Sequence, residues 1–597
     1  MPHPTKTPAD LRLYYLQRPA PLIQGVRNLQ SYFPSMETLF PSIQEQSSGS
    51  PTLAARELVL AVDVSENLSV VEDLQERTTR ITPTWIRKMH ILEPIQVLSG
   101  EYVMPLDGAL PGFRSSWQRT LRKLNDPYNE AYTDAVFACM ASRLVETGRS
   151  PHFVRFYGTF NGRVPEYTYN LTDDMGDVEG EAWYREGLAS GTFRVVAVDP
   201  YDPSVTTEVT RPWEDVRQRL FGSAGDDGSE SDMSESGSGS TSSSKSTRST
   251  TSGEELVEAD IEVSGEAVVR RPLIRLSRVS GDLHGDSQGE GADATSRRSA
   301  GSEDDIDYKL IVKDFPVQMT ILERCDGTMD DLMEDEIAAT ATEDMRETKE
   351  QRWTAWMFQV VAALTAAQKH FDLVHNDLHT NNVMWSGTGE THLYYHVTGA
   401  GGGDRFYKVP TFGRIMKIID FGRATFRPPP ATLKAKAANR VWFPDAYAPN
   451  ADAGGQYNCG PYFDQGRPKV RPNPSFDLCR LAVAILDTLW KGPADPVDPV
   501  KVLTREPGRI QYETKSPLWN LLWLWLTDKH GKNILYSPDG TERYPQFDLY
   551  CAIAKDAQNA VPCQQLTLPL FDSAFRCRRK DIPADATIWK LSSMRHL

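Results

Sequence analysis

Residues 373–384 have the sequence LVHNDLHTNNVM, and this stretch decides the fold. It places a carboxylate, Asp377, five positions before an amide, Asn382. Apolar pairs at 373–374 and 383–384 enclose this polar centre. The pattern predicts a polar loop that is anchored in the core at both of its ends.

A second stretch, residues 416–424 with the sequence MKIIDFGRA, predicts a buried strand that ends in Asp-Phe-Gly. The glycine lets the backbone turn after the strand. A long amphipathic helix is predicted from Lys349 to Phe371, directly before the first stretch. Each stretch alone is a weak signal, but the order helix, polar loop and strand is hard to obtain by chance.

In this order the two stretches resemble the H-x-D-x-x-x-x-N catalytic loop and the D-F-G motif of the protein-kinase superfamily. The resemblance implies a phosphotransferase that uses ATP and Mg²⁺. Asp377 would accept the proton of the attacking hydroxyl, while Asn382 and Asp420 would hold the metal and the ATP phosphates.

The same resemblance implies roles for two histidines of the catalytic loop. His375 would be structural and pack behind Phe421. His379 stands where serine/threonine kinases usually have a lysine near the transferred phosphate. Asn376 replaces the usual arginine, so activation by phosphorylation of a loop is less expected.

Two further stretches resemble the family in the expected order. Residues 321–332, ILERCDGTMDDL, are similar to the hinge strand and the turn into the first helix of the larger lobe. Backbone groups from Glu323 to Cys325 would then contact the adenine. Residues 475–481, SFDLCRL, are similar to the start of the central helix of that lobe, where Asp477 would hydrogen-bond the catalytic-loop backbone.

Longer runs resemble the kinase-like proteins of nucleocytoplasmic large DNA viruses. This resemblance implies a viral serine/threonine-kinase-like protein but says little about its substrate. The runs are DPYNEAYTD (126–134), SPHFVRFYG (150–158), VHNDLHTNNVMW (374–385), YKVPTFGRIMKIIDFGRA (407–424), DAGGQY (452–457), SFDLCRLA (475–482), SPLWNLLWLW (516–525) and ERYPQFDLY (542–550).

The ATP-binding lysine and glycine loop of a kinase are harder to place. Lys123 is the predicted ATP lysine and Lys88 the weaker candidate, with Glu130 at the start of a predicted helix as the partner. Surface lysines and a helix-start acid are the alternatives. The preceding glycines do not form G-x-G-x-x-G: Gly100, Gly108 and Gly112.

The predicted fold is α+β and two-lobed, with a small β-rich N-lobe and a larger helical C-lobe. Residues 1–82 are predicted to be an accessory or poorly ordered segment, 83–325 the N-lobe and 326–597 the C-lobe. Within the N-lobe, about 222–305 is rich in Ser, Gly, Asp and Glu and is predicted to be disordered. Residues 393–410 predict a β-hairpin with a glycine-rich tip.

Composition narrows the classes of partner. The chain has 597 residues and a formal net charge of −16, which argues against a general nucleic-acid binder. No apolar run is long enough for a membrane span. Seven cysteines without a C-x-x-C pair favour a reducing, intracellular location, in the host cytoplasm or a virion if the protein is viral. The oligomeric state stays open.

Three functions remain open from the sequence. The first is a kinase that phosphorylates Ser or Thr hydroxyls of a protein. The second is a small-molecule phosphotransferase, because the D-x-H-x-x-N pattern of 377–382 resembles aminoglycoside and choline kinases. The third is a pseudokinase scaffold, since neither the glycine loop nor the lysine is clearly assigned.

Overall fold

The structure is a computed structural model that describes residues 12–16, 21–40, 50–104, 110–111, 119–198, 206–209, 306–338, 343–398, 403–428, 442–445, 470–490, 501–506, 509–514, 516–537, 541–544 and 547–591. Helices and strands are mixed within these ranges, as the predicted α+β class requires. The insert predicted at about 222–305 lies outside the described residues. None of the described helices has the length and hydrophobicity needed to cross a bilayer.

Strands dominate the described residues up to 323. They are β1 (Arg12–Leu16), β2 (Leu22–Ile23), β3 (Arg27–Gln30), β4 (Ser50–Ala54), β5 (Glu57–Asp63), β6 (Leu68–Asp73), β7 (Thr79–His90), β8 (Phe156–Asn170), β9 (Phe193–Val198), β10 (Thr206–Glu208) and β11 (Asp307–Glu323). Of these, β1 and β4 pair only with each other. The other nine join one mainly antiparallel half-barrel sheet.

Strand β11 is the centre of this sheet. Its second half, Val317 to Glu323, pairs with β7 on one side, and β8 pairs along nearly its whole length on the other. The sheet continues from β7 through β6 to β5. The order β5-β6-β7-β11-β8 places the end of β11 and the middle of β7 side by side.

The sequence predicts an N-terminal boundary at residue 82. It falls inside β7, and residues 57–73 form two strands of the same sheet. The apolar run of β5, LVLAV, is buried over much of its length, so hydrophobic burial joins this segment to the sheet.

The described helices are α1 (Ser35–Leu39), α2 (Pro94–Leu98), α3 (Arg119–Leu124), α4 (Glu130–Glu146), α5 (Met175–Val178), α6 (Ala182–Ser190), α7 (Met329–Ala338), α8 (Glu343–Phe371), α9 (Phe476–Trp490), α10 (Pro517–Trp525), α11 (Phe547–Asp556), α12 (Pro562–Gln565) and α13 (Pro569–Phe575). The described residues also include two short 3₁₀ helices, Thr380–Asn382 and Arg579–Asp581. The helix predicted at 349–371 is confirmed as part of α8.

Helix α4 joins β7 to β8 and is buried along most of its length. It begins where Asn129 caps it: the Asn129 side chain accepts the N–H of Ala131 at 3.1 Å. The same side chain donates to the carbonyl of Ile91 at 3.1 Å, just after β7. The cap therefore stabilises the first turn and ties it to the sheet.

Short strands complete the second half of the chain: β12 (Gly327–Thr328), β13 (Val383–Gly387), β14 (His392–Thr398), β15 (Asp404–Pro410), β16 (Arg414–Ile418), β17 (Lys501–Glu506), β18 (Arg509–Glu513), β19 (Arg576–Cys577) and β20 (Ile588–Lys590). Strands β12, β13 and β16 form one sheet. The predicted hairpin at 393–410 is confirmed as β14 and β15, and β20 and β19 flank it as outer strands.

The hairpin is packed through a buried hydrogen-bond chain. His152 Nε2 lies 2.8 Å from the hydroxyl of Tyr395 in β14, and His152 Nδ1 lies 2.8 Å from the carbonyl of Met416. The carbonyl can only accept, so Nδ1 carries the proton and Nε2 accepts from the tyrosine. Burial lowers the pKa of His152 to about 3.

His152 makes stability depend on pH in a defined direction. Its pKa is depressed on folding, so the unfolded chain takes up more protons below about pH 6.5 and folding is disfavoured there. From pH 7 to pH 5 this group is expected to remove about 2 kcal/mol of unfolding free energy. We predict that the difference in unfolding free energy between wild type and H152Q, measured by denaturant titration, shrinks by this amount as the pH falls from 7 to 5. Parallel pH profiles would contradict a buried neutral His152.

Candidate active site

Asp477 of α9 holds the loop from His375 to Asn382 through hydrogen bonds to the loop backbone. The Asp477 carboxylate accepts the backbone N–H of His375 at 2.9 and 3.0 Å and that of Asn376 at 3.1 Å. These bonds confirm the hydrogen-bonding role predicted for Asp477. Burial raises the pKa of Asp477 to about 6, although the two N–H groups and His375 oppose the shift.

Two substitutions of Asp477 are expected to separate its acceptor role from its charge. D477A leaves two buried N–H groups without an acceptor and should cost about 2–4 kcal/mol, while D477N keeps one acceptor oxygen and should cost less. A carboxyl with a raised pKa stabilises the fold below about pH 4 and loses that contribution as pH rises through 6. The unfolding free energy of wild type relative to that of D477N should therefore fall by about 2 kcal/mol from pH 4 to pH 7 in denaturant titrations. A difference in unfolding free energy between wild type and D477N that does not change with pH would contradict a raised pKa of Asp477.

The uncharged side chain of Asn376 is hydrogen-bonded to the segment after Gly422. Its side-chain nitrogen donates to the carbonyl of Arg423 at 2.9 Å and to the hydroxyl of Thr425 at 3.1 Å. Asn376 has a φ of +64°, a conformation that asparagine tolerates better than most residues. This segment is therefore held by an amide at the position where the kinase pattern has an arginine.

Asn382 is oriented by two hydrogen bonds from its side-chain nitrogen. One runs to the backbone carbonyl of Asp377 at 2.8 Å and the other joins Nε2 of His379 at 3.0 Å. Burial lowers the pKa of His379, although the Asp377 and Asp420 carboxylates oppose this shift. A neutral His379 can accept through Nε2, which leaves the carbonyl oxygen of Asn382 as the group that can face a cation.

The loop from His375 to Asn382 lies against the strand end that contains the Asp-Phe-Gly motif. The N–H of Ile419 donates to the backbone carbonyl of Asn382 at 3.1 Å, and His375 Nε2 lies 2.8 Å from the backbone carbonyl of Ile419. The ring centroids of His375 and Phe421 are 5.3 Å apart. The structure thus brings together the two stretches that the sequence singles out.

The side chain of Asp420 meets a cation from the N-terminal sheet. Arg87, in the middle of β7, places Nη2 2.5 Å from Oδ1 of Asp420. Burial would raise the pKa of Asp420, but Arg87 outweighs it and holds the pKa below its usual value. Asp420 itself has a φ of +67°, so the backbone turns sharply at this residue.

Asp134 of α4 is the second carboxylate beside Arg87, so that one guanidinium lies between the carboxylates of Asp134 and Asp420. Its Oδ1 accepts the N–H of Phe421 at 2.7 Å, and its Oδ2 lies 3.4 Å from Nε of Arg87. Burial raises the pKa of Asp134, and Arg87 opposes the shift. A helix, the sheet and the Asp-Phe-Gly segment therefore meet at one buried charge cluster.

The predicted pair Lys123 and Glu130 is placed differently. Lys123, in α3, forms an ion pair with Glu93. Glu130 opens α4 and lies 3.7 Å from Arg423. The cation in contact with Asp420 is instead Arg87.

The predicted hinge lies at the end of β11. The N–H of Glu323 donates to the carbonyl of Arg155 at 2.9 Å. The Glu323 carboxylate contacts Nζ of the buried Lys417 at 3.0 and 3.1 Å. Within the part of the chain that the structure describes, no acceptor contacts the N–H of Cys325. The same holds for the N–H of Arg324, so this segment has two backbone donors that a ligand could use.

The connection between β5 and β6 is the hairpin next to β7 in the sheet. It contains Val64, Ser65, Glu66 and Asn67 and no glycine. The predicted glycine positions lie elsewhere, since Gly100 follows α2 while Gly108 and Gly112 fall outside the described residues. A glycine-rich loop is therefore missing from this hairpin.

Few side chains at this site could hold a metal ion. In the described ranges, no group of three or more His, Cys, Asp or Glu side chains could hold a metal ion. Mg²⁺ characteristically takes one or two protein oxygens and completes its shell with phosphates and water. Asn382 and Asp420 provide such a pair.

The sequence matches no protein-family model, and no curated protein matches it. Local chemistry must therefore support any functional conclusion. Two residues of the cluster, Arg87 and Asp134, were not predicted. The signal for Asp134 is an acid inside the almost wholly apolar helix segment 131–145, which is costly unless a cation meets it.

Proposed function

We propose that this protein is an ATP- and Mg²⁺-dependent phosphotransferase with a two-lobed, protein-kinase-like fold. The observation that supports this most strongly is the contact of Asp420 with Arg87 beside the loop that contains Asp377 and Asn382. Protein kinases place a strand cation, a helix acid and a metal-binding aspartate in one cluster beside the catalytic loop. Arg87, Asp134 and Asp420 have these three chemical characters.

The proposed reaction moves the terminal phosphoryl group of ATP to a hydroxyl. The acceptor oxygen forms a bond to the γ-phosphorus, the bond to the bridging oxygen breaks, and ADP leaves. The carboxylate of Asp377 orients the hydroxyl and takes its proton. Arg87 donates to the phosphates, for which its planar guanidinium is well suited. Most of the catalysis then comes from positioning and charge.

Asn382 and Asp420 would hold the Mg²⁺ that accompanies the nucleotide, and the ion would neutralise charge on the phosphates. His379 and the Asp377 carbonyl keep the Asn382 amide turned so that its oxygen is available. Backbone groups of the segment from Glu323 to Cys325 would contact the adenine. Each of these roles uses a group at a position described above.

The preferred acceptor is a Ser or Thr hydroxyl of a protein. The main alternative acceptor is a small molecule such as a sugar or amino alcohol, because of the D-x-H-x-x-N spacing in 377–382. The contacts of Asn376 favour an enzyme that does not need a phosphorylated loop. The proposed location is inside a host cell or a virion.

The test is a transfer assay with the full-length chain. Radiolabelled ATP and Mg²⁺ are incubated with generic protein acceptors in one arm and with sugars and amino alcohols in the other. Label on Ser or Thr supports the preferred function, and label on a small molecule supports the alternative. Absence of transfer in both arms, together with no thermal shift on adding Mg-ATP, would contradict the proposal.

A pseudokinase scaffold is a second candidate, which the glycine-free hairpin Val64–Asn67 favours. A glycine loop lets its backbone approach the phosphates closely, and side chains at these positions hinder that approach. This candidate predicts no label in either arm and no thermal shift with Mg-ATP. The same experiment therefore distinguishes it from both enzymes.

A further inference from the structure

A segment at the N-terminus packs against the helix that contains Asp134. We call residues 27–40, which include β3 and α1, the N-terminal strap. Strand β3 pairs with the outer side of β8, with Arg27 opposite Arg163 and Gln30 opposite Asn161. The side chain of Asn161 donates to the carbonyl of Tyr32 at 2.9 Å, so the sheet holds the strap beyond the strand pairing.

The strap then crosses to α4. The rings of Phe33 and Tyr132 stack with centroids 5.5 Å apart. The hydroxyl of Ser35 donates to the carbonyl of Pro127 at 2.6 Å, immediately before the helix. Phe33, Met36 and Leu39 are fully buried. The strap therefore contacts the first turn of α4 and the turn before it.

Tyr132 and Asp134 point in nearly opposite directions from α4. An α-helix turns by about 100° per residue, so side chains two positions apart are separated by about 200°. The strap touches the Tyr132 side, while Asp134 on the other side contacts Phe421 and Arg87. The helix is thus enclosed between the strap and the charge cluster.

We infer that the strap positions α4, and with it Asp134 and Arg87, for the proposed reaction. Phe33 is then a positioning residue: it touches none of the reacting groups and acts through Tyr132. This inference rests on the proposed function for its kinetic effect. Its structural part, that Phe33 restrains α4, does not depend on that function.

The packing explains why the effect should be local. Loss of the Phe33 ring leaves a cavity beside Tyr132, and partial collapse into it would let the first turns of α4 shift. A displacement of the order of 1 Å at Asp134 would move Arg87 relative to the phosphates. Misplacement on this scale reduces turnover strongly.

The test compares three variants of the full-length chain. F33A removes the ring, F33L keeps an apolar side chain, and F571A removes an equally buried ring in α13, which packs against Phe358 at 5.4 Å. Hydrogen exchange of the α4 amides and the kinetics of phosphoryl transfer are measured for each variant, together with unfolding free energy. F571A reports what a comparable loss of core packing does elsewhere.

F33A is expected to speed exchange in the first two turns of α4 and to lower kcat by about tenfold or more. F33L should restore most of the slow exchange in α4 and most of the kcat. F571A should lose stability without faster exchange in α4. Unchanged exchange in α4 of F33A, or kinetics equal to those of F571A, would overturn the inference. If wild type transfers no phosphate, the proposed function fails, while the exchange data still decide whether the strap restrains α4.

Discussion

The D377N variant is expected to lose phosphoryl transfer by about 10²–10⁴-fold while it still binds Mg-ATP. The asparagine has nearly the same shape as aspartate but cannot take the proton of the acceptor hydroxyl. The loop should keep its form, because Asn382 contacts the backbone carbonyl of residue 377 and not its carboxylate. Transfer rates with radiolabelled ATP and thermal shifts with Mg-ATP check the two halves of this prediction.

A matched control is available five residues earlier. Asp372 has a φ of +51° and a partly exposed side chain 3.8 Å from Arg427. D372N also removes one carboxylate close to the loop, and asparagine tolerates that backbone conformation. Its transfer rate should stay within about twofold of wild type. If D377N and D372N have equal rates, Asp377 is not the base.

The R87A variant is expected to lower both stability and nucleotide binding. It leaves the carboxylates of Asp134 and Asp420 buried without their cation, which costs about 3–5 kcal/mol. Burial would lower the pKa of Arg87, but the two carboxylates raise it above its ordinary value, so the guanidinium stays charged. Its removal should also reduce kcat/KM by about 10²–10³-fold, the usual cost of losing one preorganised donor.

Two further variants separate the two effects of Arg87. R87K keeps the charge but not the planar fork, so it should regain most of the stability and only part of the activity. R80A removes an arginine of the same strand that donates to the buried carboxylate of Glu57 at 2.9 and 3.0 Å, away from Asp420, so it should also lower stability but leave kcat/KM near that of wild type. Denaturant unfolding and steady-state kinetics measure both. Wild-type kcat/KM in R87A would exclude Arg87 from phosphate binding.

The residues that could be predicted from the sequence are those whose chemistry depends on short spacing. Asp377 and Asn382 lie five positions apart, and Asp420 ends an apolar strand, so local pattern alone marks them. Asp477 was also predicted, because residues 475–481 resemble the start of the central helix of the kinase large lobe. Contacts in the structure agree with these local patterns at the loop that Asp477 holds.

Arg87 and Asp134 could not be predicted because their signal is tertiary. On sequence grounds Arg87 is one cation among several near 80–123, and only the register of β7 beside β11 directs it to Asp420. Lys123 has a similar sequence context but lies in α3 against Glu93. Strand pairing across more than two hundred residues decides between them.

The pairing of residues before 82 with the sheet could not be predicted for a related reason. The proline-rich start of the chain obscures the apolar strand β5, whose burial depends on pairing with β6. The strap is less visible still, since the two rings that meet, Phe33 and Tyr132, are about a hundred residues apart in sequence. Local composition does not report such contacts.

Calorimetric titration of the full-length protein with ATP, with and without Mg²⁺, tests most directly whether Asp420 and Asn382 face a nucleotide-bound metal. We predict that Mg²⁺ strengthens ATP binding at least tenfold in wild type. This dependence on Mg²⁺ should be lost in D420N, where a neutral amide replaces one of the two side chains proposed to hold the metal. Binding that is absent in wild type, or equally dependent on Mg²⁺ in D420N, would contradict the proposed site.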